Sequence, residues 1–290
     1  MKIGLTASLQ LFAMPPGDAL RIAQRAEEVG FESIWIPDHP VIPVAVPPQY
    51  PYSDSGVPPF DNNMPWLEPT TMLTFLAAGT TTLGLGTGIY IVPLRNPHLL
   101  ARTLATVDWL SNGRLLLGVG VGWMPNEAAA TETNFENRGK RTEEILQILK
   151  KLWTEEEVEF SGEFYTFEKV KLNPKPVRKP HPPILYGGHT PVALRRAAQL
   201  CDGWIGMGYT PDQLPAYLEK LNELRKKHGR EGLPFDITVT PAVAPTLDVV
   251  KRFEELGVSR RKLTPYGRTE DPKVALEGID RFGDEVLAKL

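Results

Sequence analysis

The sequence predicts a (β/α)8 TIM barrel, an α/β fold in which each of eight parallel strands leads into a helix. Apolar strand-like runs alternate with helical patterns along the whole chain, as in successive βαβ units. Eight such pairs fit into the 290 residues. No stretch rich in proline, glycine and serine is long enough to separate domains. We therefore expect one barrel domain over residues 1–290 with loop insertions, and a doubly wound sheet is the alternative.

The predicted strands are short apolar runs bounded by polar or turn-forming residues. They are Lys2–Thr6, Ser33–Pro37, Leu83–Tyr90, Leu115–Val121, Pro183–Tyr186, Gly203–Met207, Ile237–Pro241 and Arg261–Thr264. The predicted helices are Gly17–Val29, Pro69–Ala78, Leu99–Leu110, Arg141–Leu152, Pro191–Leu200, Leu214–His228, Leu247–Leu256 and Asp271–Leu290. Pro69 and Pro191 stand where first-turn prolines are common, and Gly30 and Gly257 stand where glycine ends a helix.

Two segments, at about 40–66 and 155–183, exceed what a minimal barrel needs. The first is rich in proline and carries Tyr50, Tyr52, Phe60 and Trp66. Because binding sites are often built on loops of a rigid scaffold, we predict that this segment forms part of the wall of a substrate cavity. The second contains "VEFSGEFYTFEKVKL", which predicts a β-hairpin that turns near 161–162.

Composition excludes several classes of partner and site. The net charge of −3 gives no basic footprint for nucleic acid. Cys201 is the one cysteine, which excludes an internal disulfide and a Cys-rich zinc site and suits the cytoplasm. No segment reaches the roughly 18 uninterrupted apolar residues of a membrane span. The N-terminal stretch is typical of a first strand followed by a helix and not of a signal peptide.

No familiar metal, nucleotide or hydrolase motif occurs. The five histidines never pair with carboxylates at the spacing of H-E-x-x-H, so no metal site is expected. Ile89 and Trp123 occupy the positions where the last glycine of G-x-G-x-x-G would stand, which argues against a Rossmann NAD site. The G-x-S-x-G and Walker motifs are missing, so a hydrolase would lack its nucleophile and a kinase its nucleotide cradle.

The second predicted strand ends on two titratable side chains. In "ESIWIPDHP" the apolar run stops at Asp38 and His39, with a proline on each side. The active site of such a barrel lies at the carboxyl ends of its strands, so both side chains are expected in its mouth. There a histidine can relay a proton near neutral pH, and a carboxylate can orient it or bind a ligand. The alternative is that Asp38 caps a turn and His39 is a rim histidine.

The third and fourth predicted strands carry glycine at alternate positions. In "LGLGTGIYIVP" and "GVGVGW" these are Gly84, Gly86, Gly88, Gly118, Gly120 and Gly122. Glycine inside a strand usually marks a bulge or a close approach by another group, so a flat ligand could lie against these strand ends. The alternative is that small residues simply pack the barrel interior, and we favour it for Gly84 and Gly118.

The fifth predicted strand runs into "ILYGGHTPVALRR". Gly187 and Gly188 let a ligand approach the backbone, Thr190 can cap the following helix, and Pro191 fits its first turn. Free N–H groups at such a helix start bind phosphate. We therefore predict a phosphate site here, with an ordinary strand-to-helix turn as the alternative.

Along essentially its full length the chain resembles the bacterial luciferase-like superfamily of flavin and deazaflavin barrels, and within it the F420-dependent oxidoreductases. The segments that carry the resemblance are "IWIPDHP", "YPYSDSG", "PWLEPTTMLTFLAAGTTTLGLGTGIYIVPLRNP", "GRLLLGVGVGW", "NRGKRTEEILQILKKLW" and "PPILYGGHTPVALRRAAQLCDGW". Together these segments are specific.

The resemblance implies a luciferase-like barrel that binds coenzyme F420, with FMN as the alternative cofactor. His39 would be the catalytic residue, standing beside the reactive edge of the deazaflavin as proton donor or acceptor. A non-prolyl cis peptide would lie behind the ring at Gly88–Ile89. The residues implied in cofactor binding are Asp38, Thr87, Gly88, Ile89, Gly120, Asn126, Gly187, Gly188, Gly206 and Met207.

One position departs from the pattern of the relatives that oxidise glucose 6-phosphate. Those proteins have a catalytic glutamate just after the glycines of the fourth strand, where this chain has Trp123. A sugar phosphate is therefore disfavoured as substrate. Trp123, Tyr50 and Trp66 are expected to line a pocket for a flatter, more apolar small molecule.

Three functions remain open at the level of sequence. The leading one is an oxidoreductase that transfers a hydride between F420 and an organic substrate. The second is an FMN-dependent monooxygenase supplied by a separate flavin reductase. The third is a protein that carries a flavin-like ligand without turnover, against which the Asp-His pair argues, because storage needs no proton relay. The resemblance also allows a homodimer, although no interface stripe is identifiable.

Overall fold

The computed structural model describes residues 1–46, 50–53 and 55–290. Its strands are β1 Lys2–Thr6, β2 Ser33–Ile36, β3 Gly84–Thr87, β4 Tyr90–Ile91, β5 Leu115–Gly120, β6 Val158–Ser161, β7 Thr166–Val170, β8 Ile184–Gly187, β9 Gly203–Met207, β10 Asp236–Thr240 and β11 Arg260–Leu263. Parallel pairing runs from β1 through β2, β3, β5, β8, β9, β10 and β11 and back to β1. The eight strands close a barrel, which confirms the predicted fold class.

The helices alternate with these strands. They are α1 Leu9–Ala13, α2 Pro16–Val29, α3 Pro69–Gly79, α4 Pro97–Leu110, α5 Pro125–Ala130, α6 Arg138–Thr154, α7 Pro191–Leu200, α8 Leu214–Lys227, α9 Leu247–Glu255 and α10 Pro272–Glu285. Single 3-10 turns cover Val92–Leu94 and Leu287–Lys289. The short helices α1 and α5 were not predicted, because five or six residues give no amphipathic repeat. In the described residues no helix combines the length and the apolar character that crossing a bilayer requires.

Helix ends follow the predicted chemistry. Pro69 and Pro191 each lie in the first turn of their helix. The Thr190 hydroxyl accepts a hydrogen bond of 3.2 Å from the Ala193 N–H, which satisfies one of the free donors at the start of α7. Gly30 ends α2 with a φ of 101°, a left-handed conformation that favours glycine.

The third predicted strand differs from the others. Instead of one strand over residues 83–90, the structure has β3 and β4 with a cis peptide bond between Gly88 and Ile89. The chain leaves the barrel wall at this bond and pairs again with β5 through Tyr90 and Ile91. The cis peptide implied by the family resemblance is therefore present. Each of the other predicted strands lies within one residue of its predicted bounds.

Two apolar cores hold the barrel together. The larger lies between the strands and the helices and includes the fully buried Ile34, Leu73, Leu104 and Ile148. The smaller fills the barrel interior and comprises Trp35, Leu116, Leu185 and Ile205, with Ile89 packed against it. This division into a filled interior and an outer helix layer is typical of TIM barrels.

Glycines on the barrel wall make room for the interior residues. A Cβ atom at Gly86 would lie 2.4 Å from the Trp35 ring, and one at Gly118 would lie 2.7 Å from the Ile205 side chain. A Cβ atom at Gly84 would lie 3.0 Å from the Ser33 Cβ. These contacts support the packing interpretation for Gly84 and Gly118.

The end of the barrel opposite the active-site face carries a charged cluster. Arg260, whose side chain is 2% exposed, donates from Nε to Glu32 Oε2 at 2.8 Å and from Nη1 to Asp236 Oδ2 at 3.0 Å. Although burial opposes ionisation, the hydrogen bond and charge of Arg260 hold the pKa of Glu32 at about 2. The cluster ties β11 to the starts of β2 and β10.

The two predicted insertions take different forms. The second contains the predicted hairpin, with β6 and β7 paired antiparallel and Ser161 opposite Thr166. The described residues of the first, over 40–66, contain neither helix nor strand. Residues 47–49 and 54 of this insertion lie outside the described part of the chain.

Candidate active site

A cavity of about 1090 Å³ opens at the carboxyl ends of the barrel strands. Its wall includes residues that follow β1, β2, β5 and β8 and residues at the end of β9, together with side chains of the first insertion. Ten of the predicted site residues line it: Asp38, His39, Tyr50, Trp66, Gly88, Ile89, Trp123, Gly187, Gly188 and Met207. The topology therefore brings these residues to one place.

A histidine and a carboxylate pair on the cavity wall. His39 Nδ1 lies 2.9 Å from Glu127 Oε2 and 3.0 Å from Oε1. The side chains are 9% and 1% exposed, respectively. A carboxylate that accepts from Nδ1–H fixes the neutral imidazole in the tautomer with a free Nε2, which can then accept a proton from a ligand.

Glu127 was not predicted from the sequence. It lies on α5, next to Asn126, which the family resemblance implied in cofactor binding. In the structure Asn126 is exposed, whereas Glu127 is buried and reaches His39. The sequence did offer one signal for a buried carboxylate. Glu127 is the single charged residue in "PNEAAA", shortly after the glycines of the fourth barrel strand.

Asp38 has a different set of partners from the one expected. Its Oδ2 accepts from Arg95 Nη1 at 2.7 Å and from the Ile91 N–H at 2.8 Å, and its Oδ1 accepts from Arg95 Nη2 at 2.8 Å. Such a bidentate pair is among the strong ion-pair geometries. Asp38 thus fastens the end of β2 to β4, and the carboxylate that orients His39 is Glu127.

Aromatic side chains surround His39. The ring centroid of Trp66 lies 4.7 Å from that of His39, Phe60 lies 5.8 Å away, and Trp123 lies 6.3 Å away. Tyr50 stacks edge-on against Trp123 at 5.4 Å, and burial raises the pKa of Tyr50 to about 12, so the phenol stays neutral. Tyr52 in turn packs edge-on against Tyr50 at 5.6 Å. We call these five residues the aromatic wall: Tyr50, Tyr52, Phe60, Trp66 and Trp123.

The bulge formed by Gly88 and Ile89 lies between the cavity and the glycines of the neighbouring strands. A Cβ atom at Gly120 would lie 1.8 Å from Ile89 Cδ1, and one at Gly187 would lie 2.8 Å from Ile89 Cγ2. The space that the glycines leave open is therefore filled by the Ile89 side chain. Ile89 and Gly187 line the cavity themselves, and Gly120 supports Ile89 from behind.

Two further predicted cofactor residues, Thr87 and Gly206, lie behind the cavity surface. The Thr87 hydroxyl is buried and donates to the Gly118 carbonyl at 2.7 Å. Gly206 packs against Trp204, since a Cβ atom there would lie 2.4 Å from the indole ring. On the same strand, β9, Ile205 and Met207 do line the cavity.

One end of the cavity is cationic. The start of α7 meets the start of α6 there, and Gly188, Thr190, Arg138 and Arg196 all line the surface. A Cβ atom at Gly139 would lie 2.4 Å from an Arg196 guanidinium nitrogen, so this glycine lets the guanidinium approach α6. Two helix N-termini and two arginines form a site suited to a phosphate group. The arginines were not predicted from the sequence.

The described residues contain no group of three or more His, Cys, Asp or Glu side chains that could hold a metal ion. Cys201 is buried directly after α7 and is a free thiol.

Comparison with known proteins agrees with this geometry. Residues 2–257 match the family model described as luciferase-like monooxygenase. An uncharacterized protein of Mycobacterium tuberculosis is 34% identical over 275 residues, which cover 93% of this chain and 94% of that protein. An F420-dependent glucose-6-phosphate dehydrogenase of Amycolatopsis mediterranei is 32% identical over 229 residues, which cover 76% of this chain and 63% of that protein.

Solved structures share the fold. An F420-dependent secondary alcohol dehydrogenase in complex with an F420–acetone adduct superposes with a TM-score of 0.78 at 22% identity, covering 99% of this chain and 98% of that one. A monooxygenase from Streptomyces bottropensis superposes with a TM-score of 0.76 at 20% identity, covering 99% of both chains. With the barrel, the bulge and the family match together, this chain belongs to the luciferase-like monooxygenase family.

Proposed function

We propose that the protein is an F420-dependent oxidoreductase that transfers a hydride between the deazaflavin and an organic small molecule. The observation that carries the proposal is the His39–Glu127 pair, at 2.9 Å, on the wall of the cavity in the barrel mouth. Hydride transfer to or from an oxygen-bearing carbon needs a proton carrier beside the reacting oxygen. The relatives named as F420-dependent dehydrogenases support the choice of cofactor.

The residues present fit such a cofactor. A cavity of about 1090 Å³ exceeds the usual size of a single-ligand pocket and leaves room for a ring system and a substrate together. The Thr6 hydroxyl and the Trp66 indole N–H belong to cavity-lining residues, and each is buried without a partner among the described residues. Such groups suit the polar edge of a ring, and the cationic end with Arg138 and Arg196 suits a phosphate.

Bound F420 would supply the hydride acceptor or donor. The protein's part is to hold the substrate oxygen near His39 and to move one proton. In the oxidising direction His39 Nε2 takes the hydroxyl proton while the adjacent carbon gives up its hydride and C=O forms. In the reducing direction the imidazolium gives a proton to the oxygen that gains electron density.

Glu127 keeps His39 ready for this exchange. Its carboxylate accepts from Nδ1–H and stabilises the imidazolium that forms when Nε2 takes a proton. Because Glu127 is buried in the wall and His39 separates it from the open cavity, we assign it a positioning role. The low exposure of both side chains also limits competition from bulk water.

The aromatic wall supports an apolar substrate. Phe60, Trp66 and Trp123 surround the imidazole that would meet the substrate oxygen. Flat hydrophobic molecules gain from burial against such rings and from edge-to-face contact with them. We therefore propose an uncharged alcohol, ketone or enone as substrate and not a sugar phosphate.

Cofactor titration followed by anaerobic turnover tests the proposal. The purified protein is titrated separately with F420 and with FMN by fluorescence, and is then mixed in a stopped-flow instrument with oxidised F420 and alcohols, or with reduced F420 and enones. We expect F420 to bind and its absorbance to change with substrate in the absence of oxygen. FMN binding without F420 binding would indicate the monooxygenase alternative. Tight F420 binding with no redox change would indicate a carrier.

A further inference from the structure

Lys262 is a buried lysine that the proposed mechanism does not use. It lies on β11 with 3% of its surface exposed, and it lines the cavity. Within the described residues its ammonium group has neither a hydrogen-bond acceptor nor an acidic partner. Buried lysines are rare without a partner because burial of an unpaired charge costs several kcal/mol.

The surroundings of Lys262 define where its charge lies. Nζ is 4.8 Å from the centroid of the Trp35 ring, which fills the barrel interior beneath it. A Cβ atom at Gly88 would lie only 2.8 Å from Nζ, so the ammonium occupies space beside the backbone of the bulge. Lys262 is therefore in the floor of the cavity, between the interior core and the bulge.

The nearby charged groups do not neutralise it. Arg260, two residues earlier on the same strand, is a second cation, and its partners Glu32 and Asp236 bind it at the far end of the barrel. Trp35 on β2 and Gly88 in the bulge after β3 lie next to Lys262, and neither carries a charge. Burial, with a smaller contribution from the Arg260 charge, lowers the pKa of Lys262 to about 7.

We propose that Lys262 is the counter-ion for negative charge on the ring system of the bound cofactor, and that it favours the reduced, anionic form over the oxidised form. The inference rests on the proposed function. Reduced flavins and deazaflavins lose a ring proton near neutral pH, and a cation near the ring is a general means of tuning their redox balance. An unpaired ammonium in the cavity floor is placed for that purpose, whereas the Arg196 guanidinium is already paired with Glu143 at 2.7 Å.

We predict that loss of the Lys262 charge changes the ratio of the affinities for reduced and oxidised F420. Oxidised and reduced F420 are titrated anaerobically into the wild-type protein and into Lys262→Met, which keeps the length and apolar character of the side chain. Replacement of a buried charge by an apolar group is often neutral or stabilising, so the variant should fold, and circular dichroism checks this. We expect the preference for reduced over oxidised F420 to fall by about tenfold or more, as for loss of a charge-assisted contact.

Arg268→Met is the matched control. Arg268 lines the same cavity, is exposed at its rim and carries a permanent charge. Loss of the Arg268 charge should weaken the binding of both redox forms by the same factor, or leave both unchanged. A cation at the rim acts on the whole ligand and not on the ring alone. A general effect of cavity charge would instead change the ratio in both variants, and that would overturn the proposal.

Proton uptake gives a second readout that needs no turnover. At pH 8 Lys262 is largely neutral before binding, and an anion beside it would raise its pKa and draw in a proton. Calorimetric titrations with reduced F420 in buffers of different ionisation enthalpy should show uptake approaching one proton in the wild type and almost none in Lys262→Met.

The two hypotheses fail in different ways. If the wild-type protein binds neither form of F420, the proposed function is wrong and this inference is wrong with it. If the wild type binds both forms, and Lys262→Met shows an unchanged ratio of affinities and the same proton uptake, only the role of Lys262 is overturned.

Discussion

His39 Nδ1 and Glu127 Oε2 lie 2.9 Å apart, although 88 positions of sequence separate the two residues. The first follows β2 and the second lies on the short helix α5 after β5. The barrel brings the two strand ends together, and Glu127 orients the imidazole that Phe60, Trp66 and Trp123 surround. The proposed proton transfer depends on this pair.

Glu127→Gln should slow turnover by about tenfold or more while cofactor affinity stays close to that of the wild type. The amide keeps a hydrogen-bond acceptor for Nδ1–H but removes the negative charge that stabilises the imidazolium. Stopped-flow rates at saturating cofactor measure the effect. In a His39→Ala background the same substitution should add little, because residues that act as a unit are not additive. Full additivity of the two losses would contradict a coupled pair.

Arg196→Met should weaken cofactor binding by about tenfold or more, as expected for the loss of a charge-assisted contact to phosphate. Arg195→Met is the control, since Arg195 and Arg196 both bind Glu143 Oε1, at 2.6 and 2.7 Å, but only Arg196 lines the cavity. Fluorescence titration measures both affinities. Equal losses in the two variants would show that the effect comes from Glu143 and not from a phosphate site.

Gly188→Val also tests the predicted phosphate site, but it changes folding stability as well as binding. Gly188 has a φ of 127°, and a Cβ atom there would lie 3.0 Å from the Ala193 Cβ. Valine would strain the backbone as well as crowd a ligand, so both stability and affinity should fall. The arginine pair separates binding from folding more cleanly.

Trp123→Ala should lower kcat/KM for apolar substrates by about tenfold or more, because it removes a large part of the aromatic wall beside His39. Affinity for the cofactor should change much less. Trp109→Ala, at a tryptophan on α4 that is 58% exposed, is the control and should leave kcat/KM unchanged. If substrate range and kcat/KM are the same in both variants, Trp123 does not contact the substrate.

Glu32→Gln should destabilise the protein at pH 7 by roughly 3 kcal/mol or less, because the buried Arg260 loses one of its two partly exposed carboxylate partners. The folded-state pKa of Glu32, about 2, lies below its ordinary value of 4.5. This contribution is therefore fully present above about pH 4.5 and is lost as the pH falls toward 2. Urea unfolding at several pH values should show the difference between wild type and variant shrinking over that window. A difference that is constant from pH 7 to pH 3 would contradict the ion pair.

The sequence was sufficient to predict the barrel and to identify ten residues that line one cavity, because strand alternation and strand-end residues are local properties. His39 stands directly after an apolar run, and Gly88–Ile89 follows from the family pattern. The strand "RRKL" was harder to interpret, since its three cations look exposed in sequence. In the structure Arg260 and Lys262 face the barrel interior, where burial depends on closure of the whole ring of strands.

The missing parts of the site are those that depend on contacts between distant segments. Glu127 lies on a six-residue helix with no amphipathic repeat, and its role appears only once β5 is placed next to the end of β2. Likewise, Asp38 was expected to act on a ligand or on His39. Its bonds to the Ile91 N–H and to Arg95 join segments that are 53 and 57 positions apart, which the local sequence does not reveal.

The most direct test of the central claim is the turnover rate of His39→Ala with cofactor saturating, measured together with its cofactor affinity. General acid–base help of this kind contributes typically about 10² to 10⁴ fold, so the rate should fall by that order. Affinity should stay within roughly tenfold, about 1.4 kcal/mol, because binding is spread over the bulge and the cationic end. His189→Ala, at another histidine that lines the same cavity, should keep most of the rate. If His39→Ala turns over substrate at the wild-type rate, His39 is a rim histidine and the proton carrier is another residue.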